Sequence, residues 1–263
     1  MNLRKRPAHP QLDSEAIVKE ARRLLAARVE EPSRRAFLSR TLTLGGVALL
    51  SGCSLGDSES VETALSAISR WNDRVQGWIF DPRDLAPTYP ASMITRPFPF
   101  NAYYGVDEAP IVDEAGFRLE VTGRVAERGA WRLDELRALP QTEQITRHIC
   151  VEGWSAIGRW GGVRFSDFLA RVGADTGARY VGFRCIDDYY TSIDMATALH
   201  PQTLLALTYD GRTLPREYGF PMKLRMPTKL GYKNPKHVLA IFVTDTNPGG
   251  YWEDQGYNWF GGS

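Results

Sequence analysis

From residue 117 onward, apolar and polar positions follow one another in short runs. Phe117-Arg-Leu-Glu-Val-Thr-Gly-Arg-Val125 alternates, which predicts a half-buried strand. Residues 145–151 read as a second strand running into a loop over 152–162, and 180–186 as a buried strand. Further strands are expected over 203–209, closed by Asp210-Gly211, and over 222–226 and 237–243. Helical spacing is confined to short pieces. Leu133, Leu136 and Leu139 lie three apart within 131–139, with Pro140 just beyond; 165–172 is stopped by Gly173; 195–199 is one helical turn. Upstream, a stretch of low hydrophobicity to Ser60 reads as a tether and 61–75 as a helical patch. Pro82, Pro87, Pro90, Pro97 and Pro99 then forbid regular helix and favour an extended segment laid over the rest. Many short strands and few short helices predict an α+β domain that is mainly sheet.

Composition changes this picture little. The 263 residues are 43% hydrophobic and 24% charged, which excludes a collagen, a coiled coil and a wholly disordered chain. Charge is informative once divided: residues 1–52 carry 10 Lys/Arg against 5 Asp/Glu, which leaves 22 against 26 on the remainder. A mildly acidic body argues against nucleic acid as a partner. No GxGxxG or GxxxxGK[ST] pattern occurs, so a dinucleotide site or P-loop has no support. Three cysteines are too few to staple a fold, and their number is odd.

The first 53 residues read as an address. Arg34-Arg35-Ala36-Phe37-Leu38 precedes the mostly apolar run 41–50, about half of the ~20 residues that a membrane-spanning helix needs. The arginine pair resembles the twin-arginine consensus of proteins exported already folded, and Leu50-Ser51-Gly52-Cys53 resembles a lipobox. These resemblances imply the twin-arginine export machinery as a partner, a lipid on Cys53 and a membrane anchor that does not span the bilayer. The expected organisation is a signal with lipobox over 1–53, a tether and Pro-rich segment over 54–95, and a catalytic domain over 96–263.

The chemistry centres on Cys150. Arg147-His148-Ile149-Cys150-Val151-Glu152-Gly153-Trp154 puts a cysteine at a strand end, beside glycines that allow close backbone approach and tryptophans that can exclude water. Arg147, His148 and Arg159 could supply the positive surroundings that a thiolate needs. Spacing alone leaves nucleophile, redox thiol, metal ligand and buried core residue open.

The run Cys150-Val-Glu-Gly-Trp-Ser, followed by Trp160 and Phe165, resembles the metal-binding loop of the sulfite oxidase-type molybdopterin oxidoreductases, in particular their twin-arginine-exported bacterial branch, which includes periplasmic methionine sulfoxide reductase catalytic subunits. The resemblance implies that family's fold, with molybdenum and molybdopterin as cofactors and Cys150 as metal ligand and catalytic residue. Phe100-Asn-Ala-Tyr-Tyr-Gly105 is similar to the family's aromatic segment at the cofactor, which carries over Asn101, Tyr104 and Gly105. Tyr218-Gly-Phe-Pro-Met-Lys-Leu-Arg-Met-Pro227 with Gly231-Tyr-Lys-Asn-Pro-Lys236 is similar to its phosphate-holding element. Cofactor contacts are therefore expected at Tyr218, Lys223, Lys233, Asn234, Pro235 and Lys236, with Cys185 as a further candidate. The chain departs from the pattern at Lys223, where the family has Arg, and at Tyr218 and Cys185, where the reductase branch has Asn and Thr.

The implied activity is oxygen-atom transfer to or from a small sulfur-containing or other oxo substrate. No CxxCH haem motif occurs, so electrons would pass through a separate membrane haem protein or soluble cytochrome. The competing class is a membrane-anchored lipoprotein that keeps the fold as a non-catalytic binding module. A zinc site lacks CxxC and HExxH spacing, and a cysteine hydrolase lacks a group to orient the Cys–His pair. The aromatic tail 251–260 is expected to pack back on the domain, and Asp187 to Tyr190 to rim the pocket.

Overall fold

The computed structural model describes residues 58–263 except Pro82 and Tyr103; the export signal, Cys53 and the start of the tether lie outside the described residues. Two five-stranded sheets carry the fold. In the first, β1 (Leu119–Gly123), β2 (Gly129–Trp131), β5 (Tyr180–Cys185), β6 (Tyr190–Asp194) and β10 (Val238–Thr244) run in the order β2-β1-β10-β5-β6. Its one parallel pair is β1 with β10, in the register Glu120↔Ala240 to Gly123↔Val243. The second has the order β3 (Gln141–Ile149), β4 (Ser155–Arg164), β7 (Leu204–Tyr209), β8 (Arg212–Thr213), and β9 (Lys223–Arg225) also pairs with β7. The architecture is mixed sheet with few helices, as the pattern predicts.

Alternation explains why the sheets pack. Leu119 and Val121 of β1, Val181 and Phe183 of β5 and Ile241 and Val243 of β10 point inward, and meet Val163, Leu205, Leu207 and Leu224 of the second sheet in one buried cluster. Two short helices close this core: α2 (Leu133–Ala138) with Leu133 and Leu136, and α3 (Phe165–Arg171) with Phe165, Phe168 and Leu169. A smaller cluster of Phe98, Ala156, Trp160, Ala206 and Leu214 lies under the Pro-rich segment. That segment is extended and tied to the sheets, through Tyr89 N–H to Ile145 O at 3.0 Å and Thr95 N–H to Ile157 O at 2.9 Å.

Three expectations need correction. The loop expected over 152–162 is β4 from Ser155 onward, and only the turn before it is irregular. Its glycines serve close packing: a Cβ on Gly162 would overlap the Leu205 carbonyl oxygen, at a register shift between β4 and β7. Asp187 and Tyr189 line the pocket as expected, but Tyr190, read as the last rim residue, opens strand β6, which pairs with β5 along its length. The tether is shorter than expected, because helix α1 starts at Ser58 and runs to Ile79. The tail packs as expected: α5 (Tyr251–Asp254) follows β10, after α4 (Met195–Ala198) earlier in the chain. Beyond it, the Trp259 indole N–H donates to Ser192 Oγ at 2.9 Å.

Candidate active site

Strand β3 ends one residue before Cys150, and a tight turn fixes the thiol there. Cys150 N–H donates to Trp154 O at 2.9 Å and Gly153 N–H to Cys150 O at 3.1 Å, with Gly153 at φ +93°, a conformation that disfavours any side chain. The thiol is buried and forms part of a cleft with about 730 Å³ of empty space including its open mouth. Asn101, from the Pro-rich segment, donates its side-chain N–H to Cys150 Sγ at 3.3 Å. Glu152 Oε2 lies 3.7 Å from the same sulfur and accepts from the Trp154 indole N–H at 2.9 Å. Burial pushes the thiol pKa up, the Glu152 carboxylate adds to this, and the Asn101 hydrogen bond opposes it.

The cleft joins distant parts of the chain. Tyr104 donates to Asp187 Oδ2 at 3.0 Å across its wall. Asp187 and Tyr189 follow β5, Gly231 to Lys236 supply another side, and Trp252 and Tyr257 come from the tail. Tyr189 donates from its hydroxyl to the backbone carbonyl oxygen of Tyr232, which ties its ring to that segment. Gly231 leaves room for His148, since a Cβ there would stand 2.8 Å from His148 Nε2. Asn234 braces the backbone: its Oδ1 accepts from Met226 N–H at 2.6 Å and from Arg225 Nη1 at 3.2 Å.

Beside this cleft the charge is one-sided. Lys223 and Arg225 of β9 are buried, Lys236 is mostly so, and among the described residues no ion pair involves any of the three. Burial pushes Lys223 well below the usual ammonium range, and its only charged influences, Lys236 and Arg225, push the same way. Burial likewise brings Arg225 down to about 9 and Lys236 to about 8. His148 is held well below its usual range by burial and by these three cations, so its ring is neutral at pH 7. Its Nδ1, with Trp160 Nε1, Arg225 Nε and His237 Nε2, has no hydrogen-bond partner. Buried cations are ordinarily paired and buried donors satisfied. Lys236 donates to Glu217 O at 2.8 Å and Arg225 to Asn234 Oδ1, Thr146 Oγ1 and Arg147 O, but no carboxylate neutralises the three; with the orphaned nitrogens they suit an acceptor-rich anion, and a phosphorylated pterin fits them.

The residues singled out from sequence divide accordingly. Asn101, Tyr104, Cys150, Asn234, Pro235 and Lys236 line one cleft. Lys223 lies behind it, with its Nζ 5.3 Å from the Trp160 ring centroid. Gly105 begins a turn near the cleft, its N–H donating to Glu108 Oε2 at 2.7 Å. Tyr218 packs against Trp160 and Tyr209 and donates to Phe98 O at 2.8 Å. Lys233 is buried in an ion pair with Glu253, and Cys185 is buried in the main core. None of these four lines the cleft. Trp154 reaches the site through Glu152, whereas Trp160 belongs to the aromatic cluster beneath. Arg225 and His148 were not expected as contacts; the signal for Arg225 is its place in β9, a basic strand between apolar residues, and that for His148 its place on β3 two residues before Cys150.

A buried thiol in an open cleft, near buried cations that no carboxylate neutralises, is the arrangement of a site that holds a bound cofactor. A family model described as the oxidoreductase molybdopterin binding domain matches residues 106–252, more than half of the chain, and the chain belongs to that family. It is a sulfite oxidase-type oxidoreductase whose cofactor is molybdenum carried on molybdopterin. A protein of Azospira oryzae, provisionally named a protein-methionine-sulfoxide reductase subunit YedZ1, is 68% identical over 95% of this chain and 96% of its own length. The protein-methionine-sulfoxide reductase catalytic subunit MsrP of Xanthomonas campestris is 32% identical over 52% of this chain, and that of Burkholderia mallei 29% over 62%. The chain spans about half the length of these catalytic subunits, 47% and 56%. Among solved structures, the sulfane dehydrogenase SoxCD of Paracoccus pantotrophus overlays with a TM-score of 0.49 at 20% identity, over 52% of this chain and 40% of that one.

Proposed function

We propose that this oxidoreductase reduces sulfoxide sulfur, with methionine sulfoxide as the substrate class, at the cleft floored by Cys150. The reaction is R₂S=O + 2e⁻ + 2H⁺ → R₂S + H₂O, the electrons coming one at a time from a membrane haem protein or a soluble cytochrome. The observation that carries the reading is the Cys150 sulfur, held by Asn101 at the base of an open cleft beside unpaired buried cations. The names of the relatives support the substrate class. The twin-arginine motif and the lipobox support export to the periplasmic side and anchoring through Cys53.

When bound, the molybdenum–molybdopterin group supplies the two-electron redox chemistry. The chain's own residues do the rest. Cys150 binds the metal as thiolate; in the free chain burial and Glu152 keep its proton on, so metal binding and proton loss are linked. The Asn101 N–H fixes the direction of the sulfur lone pairs. Lys223, Arg225 and Lys236 hold the pterin phosphate, and the neutral His148 offers hydrogen bonding without repelling it. Tyr104, Asp187, Trp252 and Tyr257 form the wall that a substrate passes, where aromatic faces suit a thioether and methyl group.

The test is holoenzyme, loaded in a host that makes the pterin, with an artificial one-electron donor and a peptide containing methionine sulfoxide. Loss of one oxygen from the peptide, seen by mass spectrometry and absent for Cys150→Ser, is expected. Holoenzyme that turns over sulfite but leaves the sulfoxide intact would overturn the substrate class. A folded protein from that host carrying neither metal nor pterin would restore the binding-module reading.

A further inference from the structure

We propose that the outward face of α1 is a lipid-docking surface that lays the enzyme against a membrane; this rests on the reading of Cys53 as lipidated. From residue 64 onward, one face of the helix is fixed to the protein. Asp73 Oδ1 accepts from Phe260 N–H at 2.8 Å, Gln76 Oε1 accepts from Gly262 N–H at 3.3 Å, and the Phe80 ring beyond the helix meets Phe260 edge-on at 5.6 Å. Positions 73, 76, 77 and 80 are the i, i+3, i+4, i+7 set of one face.

The opposite face is apolar and faces water. Ile68, Trp71, Trp78 and Ile79 recur at helical spacing on it, with half-buried Val75 among them and Leu65 at its edge, and Trp71, Trp78 and Ile79 are 58%, 86% and 69% exposed. Isolated exposed apolar side chains are ordinary, but a contiguous stripe with two tryptophans opposite a docked face is not. A second copy or a protein partner could cover such a stripe; three observations favour lipid. Tryptophan suits the boundary between headgroups and acyl chains. Arg70 and Arg74, both exposed, flank the edge of the stripe next to Trp71 and Trp78, where anionic headgroups would meet them. Cys53 precedes the helix by five residues, a reach of at most ~18 Å when extended, so an acyl anchor there keeps the start of α1 at the bilayer surface.

The helix lies on the membrane rather than in it. None of the described helices is long and apolar enough to cross a bilayer. Anchor and stripe together give the two attachments that stable membrane association needs, since a single weak attachment is readily reversed.

The experiment uses the full chain purified from cytoplasm, with the signal intact and no lipid on Cys53. It is mixed with vesicles of equal parts phosphatidylethanolamine and phosphatidylglycerol, acyl chains brominated. Bromine quenches only tryptophan that reaches the acyl region, and no tryptophan precedes Trp71, so insertion of the apolar run 41–50 leaves no signal. Quenching is expected for the parent and lost in Trp71→Phe/Trp78→Phe. The variant Ile68→Gln/Trp78→Gln, altered at solvent-facing positions, should need roughly tenfold more lipid for half-saturation. Flotation without quenching, equal quenching in the Phe variant, or a dimer that only the Gln variant loses would overturn the proposal. The mass of the Cys53 peptide from membrane-extracted protein tests the anchor separately: an unmodified cysteine removes the anchor reading, while quenching still supports the helix.

Discussion

Replacing Lys223 with Met should make the cofactor-free protein more stable and the loaded protein worse at keeping its cofactor. Lys223 is 3% exposed and makes neither an ion pair nor a side-chain hydrogen bond among the described residues; its ammonium rests near the Trp160 ring. Burial and two neighbouring cations depress its pKa far below the ordinary 10.5. Burying an amine with no anion beside it costs the fold on the order of several kcal/mol. Methionine fills similar space without a charge, and forgoes a cation–π contact of about 0.5–2 kcal/mol. After allowance for relaxation, the cofactor-free variant should gain about 2–3 kcal/mol, or roughly 5–10 °C in Tm. With the pterin phosphate present the sign reverses. The loss of one charge-assisted hydrogen bond, about 1.5–3 kcal/mol, should lower cofactor retention ~10- to 100-fold. The assay is thermal unfolding of parent and variant from a host unable to make the pterin, alongside pterin content of both from a competent host. A variant less stable without the cofactor, or one that retains pterin like the parent, would refute the assignment of this cluster to the phosphate.

Further expectations follow from the same geometry. Burial depresses Lys229 to about 7, Lys236 to about 8 and Arg225 to about 9, so between pH 7 and 9 the unfolded chain binds more protons than the folded one; cofactor-free protein should resist urea better at pH 9 than at pH 7. The Glu152 carboxylate helps to hold the Cys150 thiol protonated, so Glu152→Gln should speed alkylation of Cys150 in metal-free protein at fixed pH, read by mass spectrometry; unchanged or slower alkylation contradicts the assignment. Gly231→Ala places a methyl against His148 Nε2 and should destabilise the protein by about 1–3 kcal/mol in chemical denaturation. Gly162→Ala meets backbone rather than a movable side chain, and should cost more than Gly231→Ala in the same measurement.

Periodicity located the elements whose inner faces meet the main core, such as β5 and β10, because period-two apolar runs are the direct imprint of a buried sheet face. It failed at β4, where Gly158, Gly161 and Gly162 are the marks of a loop in a sequence and of tight strand packing in a fold. It also missed β6, whose Tyr190-Thr-Ser-Ile-Asp194 is polar for a strand buried at its centre. At the site, family motifs brought Asn101 and Cys150 together across 49 positions, which no local pattern could do. They did not separate Lys233 from Lys236. Three residues apart in a basic run, one ends in an ion pair with Glu253 and the other at the cleft, and only the backbone turn over Gly231–Lys233 decides which.

The parallel pairing of β1 with β10 has a consequence for the newborn chain. Glu120 finds its partner Ala240 only after 120 further residues have been made, about 6–24 s at 5–20 residues per second. Throughout that interval β1 has the short β2 on one edge and nothing of its own sheet on the other. The first sheet therefore closes only once β10 has been made, and the basic strand β9 is synthesised before it can close. A nascent chain in this condition offers an open strand edge to any neighbour, and its escape from aggregation depends on being shielded until the last strand arrives.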